Sequence, residues 1–139
     1  VMPTPAEDLE LSLRRRIRDR GERRARALEL LAEREIAHVA DSSVYDISGG
    51  ERQLVALASV LAVEPAILVL DEPTTLLDLR HRERLRQVLA GLQQQVLLAT
   101  HDLDLALDAD RVLVIDEGRI AFDGQPAAAV AFYRGLMGA

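Results

Sequence analysis

The stretch LVLDEPT, residues 68–74, decides the fold of this 139-residue chain. Together with Ala66 and Ile67, its first three residues form a continuous apolar run that is typical of a strand buried on both faces of a parallel sheet. Asp71 and Glu72 follow at the carboxyl end of that strand, where open α/β sheets bind ligands. An aspartate there can hold Mg²⁺, and a neighbouring glutamate can deprotonate an attacking water. A helix cap followed by a turn explains the same two acids equally well.

A histidine follows the next apolar segment of the chain. Residues 96–99 predict a second buried strand, a helix over residues 79–92 separates it from the first, and His101 comes just after its end. Because parallel strands end at the same edge of a sheet, we expect His101 to lie close to Glu72. A lone histidine at a strand end is usually structural, whereas a neutral imidazole beside a carboxylate can hydrogen-bond a γ-phosphate and an attacking water. The pair favours a site for phosphoryl chemistry.

The segment before these strands predicts helices. Residues 5–21 and 22–35 have apolar positions at helical spacing, and a loop follows over residues 36–47. Acids interrupt the arginine-rich stretch over residues 14–26, which indicates a solvated face with ion pairs and not a binding patch. The predicted buried positions are Leu9, Leu13, Ile17, Ala25, Leu28, Leu31 and Ala32.

A serine and two glycines open the third predicted helix, residues 49–63. Ser48 can cap this helix, and Gly49 and Gly50 carry no side chains. Backbone N–H groups and the helix dipole would therefore be able to approach a phosphate closely. A simple N-cap with a flexible entry accounts for the same residues, so this segment alone leaves both interpretations open.

The last third of the chain predicts a hairpin and a helix. Residues 111–116 and 119–122 are predicted strands, joined by a tight turn at Glu117 and Gly118 in which the glycine supplies positive φ. Pro126 begins the terminal helix. Alternating helices and strands along the whole chain indicate an α/β fold.

The composition excludes several classes of function. A formal net charge of −6 opposes binding to nucleic acid, and the absence of cysteine excludes disulfides and thiolate chemistry. All 17 basic residues are arginine, so no lysine-dependent mechanism can reside in these residues. The longest apolar stretch, residues 54–70, is interrupted by Ser59, Glu64 and Pro65, so it does not provide the roughly 20 apolar residues of a membrane-spanning helix. We therefore expect a cytoplasmic protein.

In their order and spacing, these segments resemble the motifs of the ABC ATPase family. The signature motif corresponds to residues 47–53, the Walker B segment to 68–74, the D-loop to 75–78 and the switch region to 100–102. The resemblance implies an α/β fold of the P-loop NTPase type, the ABC nucleotide-binding domain, present in incomplete form. Residues 1–64 would form its helical subdomain with the signature motif, and residues 65–139 the C-terminal part of its RecA-like core.

The resemblance also implies a role for individual residues. Asp71 would assist Mg²⁺ binding, Glu72 would be the catalytic base, and His101 would contact the γ-phosphate of ATP. Asp78 would couple the two subunits of a head-to-tail dimer. The signature residues expected to face the ATP bound by the other subunit are Ser48, Gly49, Gly50 and Glu51. The usual signature has glutamine where this chain has Glu51, a variant that the family tolerates.

One motif of the family has no counterpart in the chain. A P-loop needs glycines and a lysine that reaches the β- and γ-phosphates, and the chain has no lysine. No glutamine before position 53 can serve as the Q-loop of the family. We therefore expect that the N-terminal half of the domain is absent, that apolar strand surface is exposed, and that the isolated chain is poorly stable or aggregates.

Short stretches point to a transporter type. The opening residues 2–4 and the D-loop resemble those of energy-coupling-factor importers, and the biotin and cobalt branch is favoured. Siderophore and cobalamin importer ATPases are the closest alternative, since they share the run Glu51-Arg52-Gln53. The implied partners are a second ABC ATPase subunit and an integral membrane transporter subunit, which would hold the protein on the inner face of the cell membrane.

Three hypotheses about the chain itself differ in class. It is a fragment of an ordinary ATPase, a non-catalytic half-domain that lends residues 48–50 to a partner's ATP, or part of a chromosome-maintenance ATPase with coiled-coil arms. The first is favoured. The third is disfavoured because no heptad repeat precedes the signature motif.

Overall fold

The computed structural model describes residues 3–138 as the helices and strands of an α/β protein. Met2, one of the opening residues that resemble energy-coupling-factor importers, lies outside the described residues. So do position 1, where the first predicted subdomain begins, and position 139, where the second ends. Within the described range, none of the helices has the length and apolar character that crossing a membrane requires.

The chain divides into two compact units. The first joins the residues up to Val69 with Thr75–Leu97, and the second joins Leu70–Thr74 with the residues from Leu98 onward. This division differs from the boundary between residues 64 and 65 that the family resemblance implies, and that boundary stays a prediction.

The first unit contains α1 (Pro5–Leu13), α2 (Arg20–Glu33) and α3 (Gly49–Leu61), with a single turn of 3₁₀-helix at Ala37–Val39. The prediction of one helix over residues 5–21 was too long. α1 ends at Leu13, and the next helix starts after Asp19, whose carboxylate accepts the backbone N–H of Glu22 at 2.8 Å and caps α2.

The apolar faces of α1, α2 and α3 pack into one core. Leu9 and Leu31 are fully buried there, as predicted. The predicted burial of Ala25 and Ala32 is wrong, since both are exposed and the covered face of α2 passes through Ala27 instead. The buried members of the core are Ala6, Leu9, Leu13, Ala27, Leu30, Leu31, Ile36, Val39, Ala40, Ile47, Leu54, Val55, Ala58 and Ala62.

Two predicted strands, β1 (Ile67–Asp71) and β2 (Gln95–Ala99), pair in a two-stranded sheet, and α4 (Leu79–Ala90) connects them. The Gln95 N–H donates to the Ala66 carbonyl at 3.2 Å near the start of both strands. The Glu72 N–H donates to the Ala99 carbonyl at 2.8 Å near their ends. The strands therefore run parallel, and their carboxyl ends lie together.

The prediction that both strands are buried on both faces is wrong for the described residues. Leu68 is buried, but Ile67, Val69 and Leu97 are 57%, 67% and 62% exposed. The apolar run does form a strand, but within residues 3–138 the face that carries Ile67 and Val69 has no covering layer. The expected exposure of apolar strand surface is observed.

The second unit continues with α5 (Leu103–Leu107), β3 (Val112–Asp116), β4 (Arg119–Gly124) and α6 (Pro126–Leu136). The predicted hairpin is confirmed: β3 and β4 pair antiparallel, and the turn residues Glu117 and Gly118 have φ of 45° and 74°. Arg111 closes the open end of the hairpin with two bonds to Asp123, at 2.7 and 2.6 Å. The short helix α5, which Asp102 caps, was not predicted.

Candidate functional site

Glu72 and His101 lie together at the ends of β1 and β2, where their proximity was expected. One carboxylate oxygen of Glu72 accepts the backbone N–H of His101 at 3.4 Å, and the other lies 3.5 Å from the imidazole Nε2. The hydroxyl of Tyr133 lies 3.4 Å from Nδ1 of the same ring. When this hydroxyl donates to Nδ1, the ring hydrogen is on Nε2 and faces the carboxylate.

The backbone at Glu72 is unusual for a glutamate. Its φ is 47°, in the left-handed region that non-glycine residues seldom adopt. Such conformations cost about 1–3 kcal/mol and cluster at active sites. The side chains of Glu72 and His101 are 36% and 82% exposed, so both are accessible to a ligand.

Asp71 is the last residue of β1 and is exposed. Among residues 3–138, no group of three or more histidine and acidic side chains converges in a way that would hold a metal ion. Mg²⁺ is commonly held by one or two carboxylates together with water and substrate phosphates, so a single accessible aspartate is compatible with an ion that arrives with a nucleotide.

The signature segment, residues 47–53, starts α3 with a reciprocal cap. Ser48 Oγ accepts the backbone N–H of Glu51 at 3.1 Å, and Glu51 Oε1 accepts the backbone N–H of Ser48 at 3.1 Å. Ser48 and Gly49 are exposed and Gly50 is buried. The N-terminal end of this helix is therefore accessible at its first two positions, where backbone N–H groups and the helix dipole favour an anion.

His38 contacts the signature segment. His38 Nε2 lies 2.9 Å from Glu51 Oε2, so both oxygens of this carboxylate have a partner. The hydrogen bond from the backbone N–H of Ser48, with a smaller contribution from His38, lowers the pKa of Glu51. The glutamate that replaces the usual glutamine therefore stays ionised at neutral pH.

Asp78 ends the D-loop, residues 75–78, and caps α4. Its Oδ1 accepts the backbone N–H of His81 at 2.8 Å and lies 2.8 Å from Nδ1 of the same residue. These two bonds, the backbone one first, lower the pKa of Asp78. Leu76, in the middle of the D-loop, has φ of 67° and is 94% exposed.

The structure brings the D-loop and the signature segment together within the first unit. The position that a Cβ would take on Gly50 is filled by the imidazole of His81, and the corresponding position on Gly49 lies 3.9 Å from the carbonyl oxygen of Leu76. Sequence reasoning missed His81, because no spacing or composition marks a histidine that packs on a glycine 31 positions earlier.

Charged side chains surround a cavity of about 580 Å³ beside the signature segment. It lies within the first unit, and Arg84, which borders it, pairs with Glu35 and donates to the carbonyl of Arg34 at 3.4 Å. The residues that line it are Arg34, Glu35, Ile36, His38, Ser48, Glu51, Leu54, Arg80, His81, Glu83, Arg84 and Gln87.

Comparison with known proteins shows the family of the chain. The family model described as ABC transporter matches residues 4–75. The biotin transport ATP-binding protein BioM of Rhizobium etli is 42% identical over 134 residues, which are 96% of this chain and 60% of that protein. The energy-coupling factor transporter ATP-binding protein EcfA1 of Levilactobacillus brevis is 38% identical over 131 residues, which are 91% of this chain and 47% of that protein.

A solved structure shares the fold. The dimeric ATP-binding cassette MJ0796, in a post-hydrolysis state bound to ADP and Pi, has a TM-score of 0.80 and 32% identity, over 91% of this chain and 59% of that one. The chain thus spans 60% or less of the length of each of these proteins. Its fold is that of the nucleotide-binding domain of ABC ATPases, over the part that it covers. Both the family match and the fold lead to one conclusion: the chain belongs to the ABC transporter family.

Proposed function

We propose that the chain provides hydrolytic residues of the ATP-hydrolysing subunit of an ABC importer. The observation that carries the proposal is the pairing of Glu72 with His101 at the carboxyl ends of two parallel strands. An accessible carboxylate in that position suits a general base for water, and an accessible imidazole beside it suits a hydrogen-bond partner of the γ-phosphate.

In the proposed hydrolysis, one bond to the γ-phosphorus forms and another breaks. The oxygen of a water molecule bonds to the γ-phosphorus while the bond from that phosphorus to the bridging oxygen of ADP breaks, and the electron pair stays on the ADP oxygen. Glu72 accepts the proton of the water, and His101 donates a hydrogen bond to the transferring group. Mg²⁺ would neutralise charge on the β- and γ-phosphates when it is bound with ATP, and Asp71 is the residue that would hold it.

The signature segment would act on a second ATP. Ser48 and Gly49 are exposed at the start of α3, where an anion is stabilised, so these residues suit the γ-phosphate of ATP bound by another subunit. Gly50 and Glu51 would complete the signature surface toward that ATP, and Asp78 would couple the two subunits. The dimeric ADP-bound relative supports pairing with a second ABC ATPase subunit, which we propose to be head to tail.

The 139 residues contain no lysine. The lysine that binds ATP phosphates in this family would therefore come from residues outside them. A hybrid cassette tests the proposal: the segment of the R. etli relative that precedes its match with this chain is joined in front of residues 1–139. We expect this hybrid cassette to hydrolyse ATP. Glu72→Gln should lower kcat by about 100-fold, since a general base contributes at least that much.

Asp104→Asn is the matched control for the hybrid cassette, since this acid on the neighbouring helix α5 is also exposed and should leave kcat within twofold, roughly the scatter of a surface substitution. A Glu72→Gln variant that keeps more than half of the parent turnover would contradict the role given to Glu72.

For the transported solute, we propose biotin and an importer of the energy-coupling-factor type. The similarity to the biotin transport protein and to the energy-coupling factor protein supports this choice. An integral membrane subunit would then hold the protein on the inner face of the membrane. Cells that express the hybrid cassette with the membrane subunits of the R. etli relative should take up labelled biotin. Uptake of labelled cobalt without biotin would favour the metal-ion branch instead.

A further inference from the structure

We propose that His81 is a positioning residue that joins the D-loop to the signature segment within one chain. Its catalytic consequence rests on the proposed function, whereas the contact itself does not. The side chain of His81 lies on the first turn of α4 and is 25% exposed. It contacts both Asp78 and Gly50, so one imidazole touches both motifs.

The contact with Asp78 fixes the orientation of the ring. Asp78 Oδ1 lies 2.8 Å from Nδ1, and an ionised carboxylate can only accept a hydrogen bond. Nδ1 therefore carries the hydrogen. The same oxygen also accepts the backbone N–H of His81 at 2.8 Å, so the cap of α4 and the ring share one acceptor.

The contact with Gly50 depends on the missing side chain. A Cβ at this position would lie 2.6 Å from Nδ1 of His81 and still closer to Cγ, which no real structure tolerates. Gly49 differs, because the nearest atom to its Cβ position is the Leu76 carbonyl oxygen at 3.9 Å, an ordinary contact distance. Of the two signature glycines, Gly50 makes room for His81 and Gly49 stays open toward solvent.

The D-loop needs such a support. Leu76 has φ of 67° and is almost fully exposed, so its own side chain does little to hold an unfavourable backbone conformation. The ring of His81 holds the end of the loop against the start of α3. A shift of Asp78 would therefore shift Gly50, and the two motifs that would face the ATP of a second subunit would move as one body.

The contact is tested in the full chain by measuring how Gly50→Ala changes the melting temperature with and without His81. Gly50→Ala should lower the melting temperature by about 5 °C, because the new methyl group overlaps the ring. In a His81→Ala background the same change should raise it by about 2 °C or leave it unchanged, since the overlap is gone and alanine favours the helix. Gly49→Ala is the matched control, and it should have the same small effect in both backgrounds.

Two results of the melting experiment decide whether His81 packs on Gly50. If Gly50→Ala prevents folding while the double variant folds, the contact is supported. If Gly50→Ala changes the melting temperature equally with and without His81, the ring does not occupy the space over Gly50 and the proposal is overturned.

The positioning role is tested by turnover in the hybrid cassette. His81→Phe keeps a ring over Gly50 and the backbone cap of α4 but loses the bond to Asp78. We expect kcat to fall about tenfold with KM for ATP within about twofold, because misplaced groups act on the reacting state more than on binding. An unchanged kcat would overturn the positioning role. A parent hybrid that hydrolyses no ATP would contradict the proposed function instead, and the melting experiment would still decide the contact.

Discussion

The α1–α3 core and the β1–β2 sheet cover their apolar residues in different ways. Each of the three helices is apolar along one stripe, so three of them suffice to bury Leu9 and Leu31 completely. The strands are apolar at consecutive positions, which point to both faces, and Ile67 and Val69 remain exposed. Amphipathic segments can therefore complete a core among themselves, whereas a strand that is apolar on both faces requires a covering layer on each side.

The largest expected effect comes from removing side-chain volume in the α1–α3 core. Leu31→Ala should lower the free energy of unfolding by about 3 kcal/mol, because it leaves a cavity at a fully buried position. Val69→Ala, the matched change in the exposed strand, should cost less than about 0.5 kcal/mol. Urea denaturation followed by circular dichroism measures both values, and equal losses would contradict the distinction between the two regions.

An effect of intermediate size is expected on the self-association of the chain. Ile67→Thr combined with Val69→Thr keeps the β-branched shape of both side chains and removes apolar surface from the sheet. The fluorescence of a dye that binds exposed apolar surface should fall by about half, and light scattering at high protein concentration should fall with it. The same pair of changes at Leu9 and Leu31 would unfold the protein, so it cannot serve as the control. Thr substitution at Leu113 and Ile115, which are exposed in the hairpin, is the matched comparison.

The smallest expected effect lies at the edge of the α1–α3 core, where Glu51 takes part in the cap of α3. The pKa of Glu51 is lowered in the folded state from 4.5, so its carboxylate stabilises the fold above that pH and loses this contribution as the pH falls through the folded-state pKa. Glu51→Gln keeps an acceptor for the Ser48 N–H but carries no charge. The wild type should be about 0.5 kcal/mol more stable than this variant at pH 5, since a charge at a helix N-terminus contributes that much.

The difference between wild type and Glu51→Gln should shrink between pH 5 and pH 3. Urea denaturation at both pH values measures it. A difference that grows toward pH 3 would contradict the stabilising role of the ionised carboxylate.

The sequence predicted those elements whose signals are local. The hairpin turn followed from Glu117 and Gly118, and the start of α3 followed from Ser48, because turn and cap residues act on backbone groups only a few positions away. The meeting of Glu72 with His101 was also predictable, since it requires only that two consecutive parallel strands end at the same edge. Their catalytic roles stay predictions.

Two errors concern elements, since the helix over residues 5–21 was predicted too long and α5 was missed, and the others concern what packs against an element. Burial of Val69 was predicted from apolar character alone, but burial depends on what packs against the strand. Ala25 and Ala32 were assigned to the covered face of α2, and the small alanine side chain gives too weak a signal to fix the orientation of a helix. The contacts of His38 with Glu51 and of His81 with Gly50 join residues far apart in sequence, and no local pattern encodes them.

The left-handed backbone of Glu72 sets stability against function at a single position. Glycine adopts φ of 47° without the steric cost that a glutamate bears, so Glu72→Gly would relieve strain in the folded state. Directed evolution of this chain for heat resistance alone would therefore tend to discard the carboxylate proposed as the base. A screen that combines heat challenge with ATP turnover would be needed to retain it, and glutamate recovered at this position under both pressures would mark the residue as one kept for its chemistry.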